Sequence, residues 1–162
     1  MSFVDFCMNV LDVFSRTFLP LATQAGIPVP VVNRHLPLFR RYVDPDEPTM
    51  LVSRCARAES PMGRRYIVLL TRQHLVVTTE SLILRRARVY LEADVRTLEG
   101  VTWSTDLDAA AVDFAVSTRV KRERFSIRAL YPRQMWRLEA ALGQVFRPAG
   151  KRSRSATPIG AF

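Results

Sequence analysis

The chain has little of what catalytic and metal-binding proteins usually display. Glycine is scarce, with 6 residues in 162. None of them falls into a P-loop, GxGxxG or GxSxG pattern, which excludes glycine-rich phosphate cradles and a nucleophile elbow. Two cysteines are present, Cys7 and Cys55, each in an apolar pattern and neither in a CxxC pair. Buried free thiols are expected there rather than a disulfide framework. The two histidines are equally isolated. His35 sits among prolines, His74 begins a strand, and neither has a second ligand at zinc spacing. Asp106 and Asp108 flank a turn, where aspartate bonds locally to the backbone. The expectation is a protein without catalytic activity, metal or organic cofactor, and with no implied small-molecule substrate.

Long apolar runs are missing too. No segment reaches the roughly 18–20 residues that span a bilayer. The apolar N-terminal stretch is interrupted by Asp5, Asn9, Asp12 and Arg16, and lacks the basic start and small-residue cleavage site of a signal peptide. A cytoplasmic protein is expected, with peripheral attachment to a membrane left open. Lysine is nearly absent: Lys121 and Lys151 are the only two, and every other basic residue is arginine. The formal net charge of +9 favours partners that carry phosphate or carboxylate groups. Arginine suits bidentate phosphate contacts, although a GC-rich genome enriches it without any functional reason.

What is present is a change of period along the chain. Over residues 3–18, Asp5, Asn9, Asp12 and Arg16 form one narrow helical stripe in an otherwise apolar segment. This predicts a helix buried against the body or against a second copy of the chain. Residues 20–48 hold six of the ten prolines, which predicts irregular structure with one short helix over residues 37–43. From residue 49 the period is two. Strands are expected over residues 50–57, 65–71, 74–79, 82–91, 95–103, 110–118 and 124–130. The second is apolar on both faces, as a central strand would be. Residues 132–146 return to helical period, with Met135, Leu138, Leu142 and Val145 on one face and Trp136 and Phe146 at its margins. That helix is expected to cap the strands, with Trp136 largely buried. The division is an N-terminal helical, proline-rich arm over 1–48, a strand body with its helix over 49–147, and a flexible basic tail over 148–162.

Seven strands followed by one helix is the order of a pleckstrin-homology domain. The run Leu70-Thr71-Arg72-Gln73-His74-Leu75-Val76-Val77-Thr78 resembles a strand–turn–strand segment of bacterial pleckstrin-homology-like domains. The stretch from Arg85 to Val95 resembles the segment that follows it there. The resemblance covers residues 49–147. It implies a mainly β fold, a seven-stranded antiparallel barrel capped by a C-terminal helix in which a tryptophan, here Trp136, is buried. It also implies a binding scaffold, with no single ligand. In many such domains basic residues around the first hairpin bind inositol phospholipids. Arg54, Arg64 and Arg65 fall in that region, but the lysine-rich pattern of strong lipid binders is absent.

The candidate site is a basic rim. Arg119, Lys121, Arg122 and Arg124 crowd one hairpin, and Arg128 extends the same outward face, since Phe125, Ile127 and Ala129 alternate with it inward. Arg85, Arg86 and Arg88 form a second group, with Arg64 and Arg65 as further candidates. Arg147, Lys151, Arg152 and Arg154 form a third group that runs into the tail. An ordinary solvated strand face would look the same. Aromatic residues do not interleave with these arginines as single-strand platforms require, Tyr131 being the only close one. The expected function is an adaptor or interaction module whose partner is a protein, with anionic lipid or RNA as further options. The alternatives are an RNA- or ribosome-associated basic protein and an enzyme whose site is invisible in sequence.

Overall fold

A computed structural model describes residues 12–60 and 63–147. Two helices come first, α1 (Val13–Gln24) and α2 (Val29–Phe39). Seven strands follow: β1 (Leu51–Arg57), β2 (Arg64–Leu70), β3 (His74–Ser81), β4 (Ala87–Asp94), β5 (Glu99–Asp106), β6 (Ala111–Ser117) and β7 (Arg122–Arg128). A single 3-10 turn, Val95–Thr97, joins β4 to β5, and α3 (Pro132–Phe146) follows the last strand. All pairings are antiparallel, in the order β4-β3-β2-β1-β7-β6-β5. The molecule is therefore mainly sheet. β4 and β5 are its two edges and do not pair with each other, so the sheet is open. Its halves meet at β1, which gives most of its length to β2 and only Ala56 and Arg57 to Ser126 and Phe125 of β7.

The sheet separates two apolar cores, and β2 shows why. Side chains of a strand alternate between faces. Tyr66, Val68 and Leu70 enter one core with Leu75, Val77, Val112, Phe114, Phe125 and Ile127. Ile67 and Leu69 enter the other, with Val52 and Val76. A central strand that is apolar throughout thus has a use for each residue. The first core lies on the inner face, where both halves of the sheet turn toward α3. Leu138, Ala141 and Leu142 of α3 close it. The second lies on the outer face of β1–β2–β3, under α1 and α2, and holds Phe14, Phe18, Ala22, Val31, Val32 and Phe39. Phe18 stacks at an angle between Phe14 and Phe39, with ring centroids 5.4 and 5.7 Å away.

Several expectations need correction. Asp12, read as one residue of a helical stripe, is instead an N-cap. Its carboxylate accepts from the backbone N–H of Ser15 at 2.6 Å, and the helix runs to Gln24 rather than ending at residue 18. The residues before Asp12, Cys7 among them, lie outside the described residues, as does the tail over 148–162. The proline-rich stretch is irregular only in part: residues 40–48, with Pro45 and Pro48, are turns and bends, but most of the stretch before them is helical. Pro20 lies inside α1, Pro30 in the first turn of α2 and Pro37 near its end. An interior proline costs a helix about 3 kcal/mol, and burial of the phenylalanine face offsets it. The helix expected over 37–43 is α2, eight residues earlier at its start. Residues 82–86 are a turn, so β4 starts at Ala87. Trp136 is 62% exposed. The buried stripe of α3 passes through Met135, Leu138 and Leu142, and Trp136 is one step, about 100°, round the helix from Met135. Cys55 is a half-buried free thiol packed on the inner core, and burial pushes its pKa far up. No helix among the described residues is long and apolar enough to cross a membrane.

Candidate functional site

The outer face of the sheet differs between its halves. Over β1–β2–β3 it is apolar and covered. Over β5–β6–β7 the same alternation places small and polar side chains outward. Thr102 pairs across with Ala115, and Ala115 with Arg124; Ser104 pairs with Asp113, Asp113 with Ser126, and Ser126 with Ala56. The residues between them, Trp103, Phe114 and Phe125, point into the inner core. Rows of alanine and serine flanked by larger residues leave a depression. A groove of about 530 Å³ runs across this face, with Ala56, Ala115, Ser104 and Ser126 along it and Arg124 in its wall. α1 and α2 bury their apolar faces on the other half, and α3 buries its own on the inner side. Among the described residues, no helix packs its apolar side onto this surface.

The structure separates the rim candidates. Arg124 and Arg128 lie exposed on the outward face of β7, and Arg119 is exposed in the turn before it. Arg122 shares that face but is held by β5 and β6: its guanidinium donates to the carbonyl of Gly100 at 3.0 Å, to Ser117 Oγ at 2.9 Å and to Thr102 Oγ1 at 3.2 Å. Lys121 is engaged by Glu123 at 2.5 Å and donates to the Tyr90 hydroxyl at 2.9 Å. Arg85, Arg86, Arg88 and Arg65 are exposed and Arg64 half-buried, at a different corner around the β3–β4 turn. Arg54, exposed on β1, donates to the carbonyl of Gly26 at 3.1 Å and ties the α1–α2 turn to the sheet.

Sequence reasoning missed a polar network behind the rim. Glu123 sits at an inward position of β7, in phase with Phe125 and Ile127, and is buried. It accepts from the Tyr90 hydroxyl of β4 at 2.7 Å and pairs with Arg57 of β1 at 3.3 Å. The Arg57 guanidinium and the Lys121 ammonium lie over the Tyr90 ring, 4.8 and 4.7 Å from its centroid. Burial raises the pKa of Glu123, but the hydrogen bonds from Lys121 and Tyr90 and the charges of Lys121 and Arg57 outweigh it, and the net shift is downward. The network bridges from edge strand β4 to the opposite half of the sheet, where no backbone pairing does so. A carboxylate in phase with core residues was the signal for it.

The histidines are paired rather than isolated. His35 of α2 is fully buried and hydrogen-bonds Thr78 at 2.7 Å; its other ring nitrogen lies 3.4 Å from Glu80, which also binds Arg34. Burial lowers the pKa of His35 more than Glu80 raises it. His74 lies 3.0 Å from Glu47, which also accepts from Thr71. These pairs fasten helical and proline-rich segments to the sheet. No group of three or more His, Cys, Asp or Glu that could hold a metal ion occurs among the described residues. No known family model matches the chain, and no curated protein matches it.

Proposed function

We propose that the chain is a non-enzymatic adaptor of the cytoplasm, built on a pleckstrin-homology-like scaffold read as an incompletely closed barrel. Its β5–β6–β7 face, which no helix among the described residues covers, receives an extended acidic segment of a partner protein. The groove on that face carries the reading. A floor of alanine and serine lets a polypeptide approach the sheet closely. Among the described residues, Arg124 in the wall and Arg128 further along β7 form no ion pair, and Asp113 is the one carboxylate in the lining. Charge-assisted hydrogen bonds from arginine to carboxylates fix both affinity and register.

A fluorescently labelled oligoglutamate peptide tests this, with labelled oligouridylate of the same length beside it. Anisotropy with the full chain should show saturable binding of oligoglutamate that weakens as salt screens it. Arg124→Glu should cost about 1.5–3 kcal/mol, the scale of a hydrogen bond to a charged group. Ser126→Tyr should obstruct the groove and abolish binding. Indifference of oligoglutamate binding to both substitutions would remove the groove from the reading. Tighter binding of oligouridylate with a steep salt slope would move the assignment to the RNA-associated alternative.

A further inference from the structure

We propose that the β3–β4 tip is a membrane-docking element, which inserts Ile83 and Leu84 into the interfacial layer of an anionic bilayer while surrounding arginines engage the lipid headgroups. The tip carries three aliphatic residues in succession, Leu82, Ile83 and Leu84, all exposed; Ile83 is 89% and Leu84 69% accessible. Such a run on a protein surface is unfavourable unless something covers it. It is held in a defined shape. The backbone N–H of Leu82 donates to the carbonyl of Gly63 at 2.9 Å, that of Arg85 to the carbonyl of Ser81 at 2.8 Å, and that of Leu84 to Ser81 Oγ at 3.2 Å. Arg85 adopts the left-handed conformation, φ 49°, that closes the turn. The apolar side chains are therefore presented by a hydrogen-bonded tip.

Cations ring it. Arg85, Arg86 and Arg88 follow the triad directly. Arg64 and Arg65 stand opposite Ser81 and Glu80 on the neighbouring strand. Among the described residues none of these five arginines forms an ion pair with a carboxylate. Glu80, two residues before the triad in sequence, is buried on the outer face and already bound to Arg34 and His35. An apolar point surrounded by unpaired positive charge is complementary to a surface with acyl chains beneath anionic headgroups.

The shape also selects a bilayer over a protein. Ile83 is almost fully accessible among the described residues, so the tip projects from them and offers only a few side chains. A stable protein interface needs about 800 Å² from each partner, whereas a wedge entering lipid needs no matching pocket. Arginine stems add apolar length at the same depth, with their heads at the phosphates. This site is distinct from the β5–β6–β7 groove, and neither reading depends on the other.

Flotation of the full chain with vesicles tests the proposal. Vesicles of phosphatidylcholine containing phosphatidylglycerol should carry the protein to the top of the gradient; pure phosphatidylcholine vesicles should not. The double variant Ile83→Ser/Leu84→Ser should reduce the partition coefficient by about tenfold or more, since two aliphatic side chains no longer leave water. Arg85→Gln/Arg86→Gln should reduce it comparably at low salt and less at high salt. Ile83→Trp should bind more tightly than the native chain, because tryptophan favours the interface. That gain separates insertion from simple misfolding of the serine variant. Absence of flotation with the anionic vesicles, or undiminished flotation of Ile83→Ser/Leu84→Ser, would overturn the proposal. The second result would mean that charge alone adsorbs the protein.

Discussion

His35 concentrates the chemistry of the α2–sheet contact in one side chain. The imidazole is sealed between α2 and β3, facing Thr78, Glu80 and Arg34. Burial disfavours its protonated form, so its pKa in the folded state lies below the ordinary value of 6.5. As pH falls through that value the unfolded chain takes up a proton that the folded chain refuses, and stability declines; above it the contribution is complete. Glu80 works in the same direction lower on the scale. Burial raises its pKa, the hydrogen bonds from Arg34 and His35 and the charge of Arg34 outweigh this, and its contribution fades as pH drops through the carboxylate range. Urea unfolding at about pH 7.5 and about pH 5.5 should therefore show a clear loss of stability on acidification. His35→Gln, which can still bond Thr78, should flatten that dependence. Parallel losses in the two proteins would show that His35 is not held neutral.

Among the elements, α3 shows what a sequence can and cannot display. Its bounds and buried stripe were legible, because Pro132 marks its start and Met135, Leu138 and Leu142 repeat at helical spacing. The fate of Trp136 was not, because a residue at the margin of a stripe is sorted by the width of the surface below it. Leu142→Ala should destabilise by about 2–5 kcal/mol, whereas Trp136→Ala should cost under about 1 kcal/mol; matched urea midpoints would refute the assigned face. The strands were legible by their period, although the fifth, expected over 95–103, starts only at Glu99 after the 3-10 turn and runs to Asp106. The tip at residues 82–86 was not, since Leu82, Ile83 and Leu84 read as a strand continuation when taken without the turn bonds to Gly63 and Ser81. Prolines misled for a similar reason. Pro20 lies inside a helix whose cost is met by a phenylalanine face packed on strands some thirty residues or more away, and no local pattern carries that information. The candidate rim was visible as composition, but only the fold distinguishes Arg124 and Arg128 from Lys121 and Arg122, which are committed to internal partners.

At the scale of the whole molecule, the sheet acts as a shared wall. The inner core closes under α3, the outer core under α1 and α2, and β1, β2 and β3 contribute to both. Unfolding of either core removes support from the other, so one cooperative transition is expected from this architecture. The wall also fixes which residues constrain one another as the sequence changes. Val68 and Leu69 are chain neighbours but face different cores. Val52 and Leu69 are seventeen positions apart yet stand opposite each other in register and share the outer core. Double-mutant cycles with alanine should find Val68 and Leu69 nearly additive, and Val52 and Leu69 coupled by about 0.5 kcal/mol or more. Coupling of the first pair with additivity of the second would contradict the two-core arrangement. Substitutions in this chain should then divide into two largely independent lineages of compensation, interleaved residue by residue along β2: a change at Leu69 would be rescued from the helices upstream, and a change at Val68 from the strands and helix downstream.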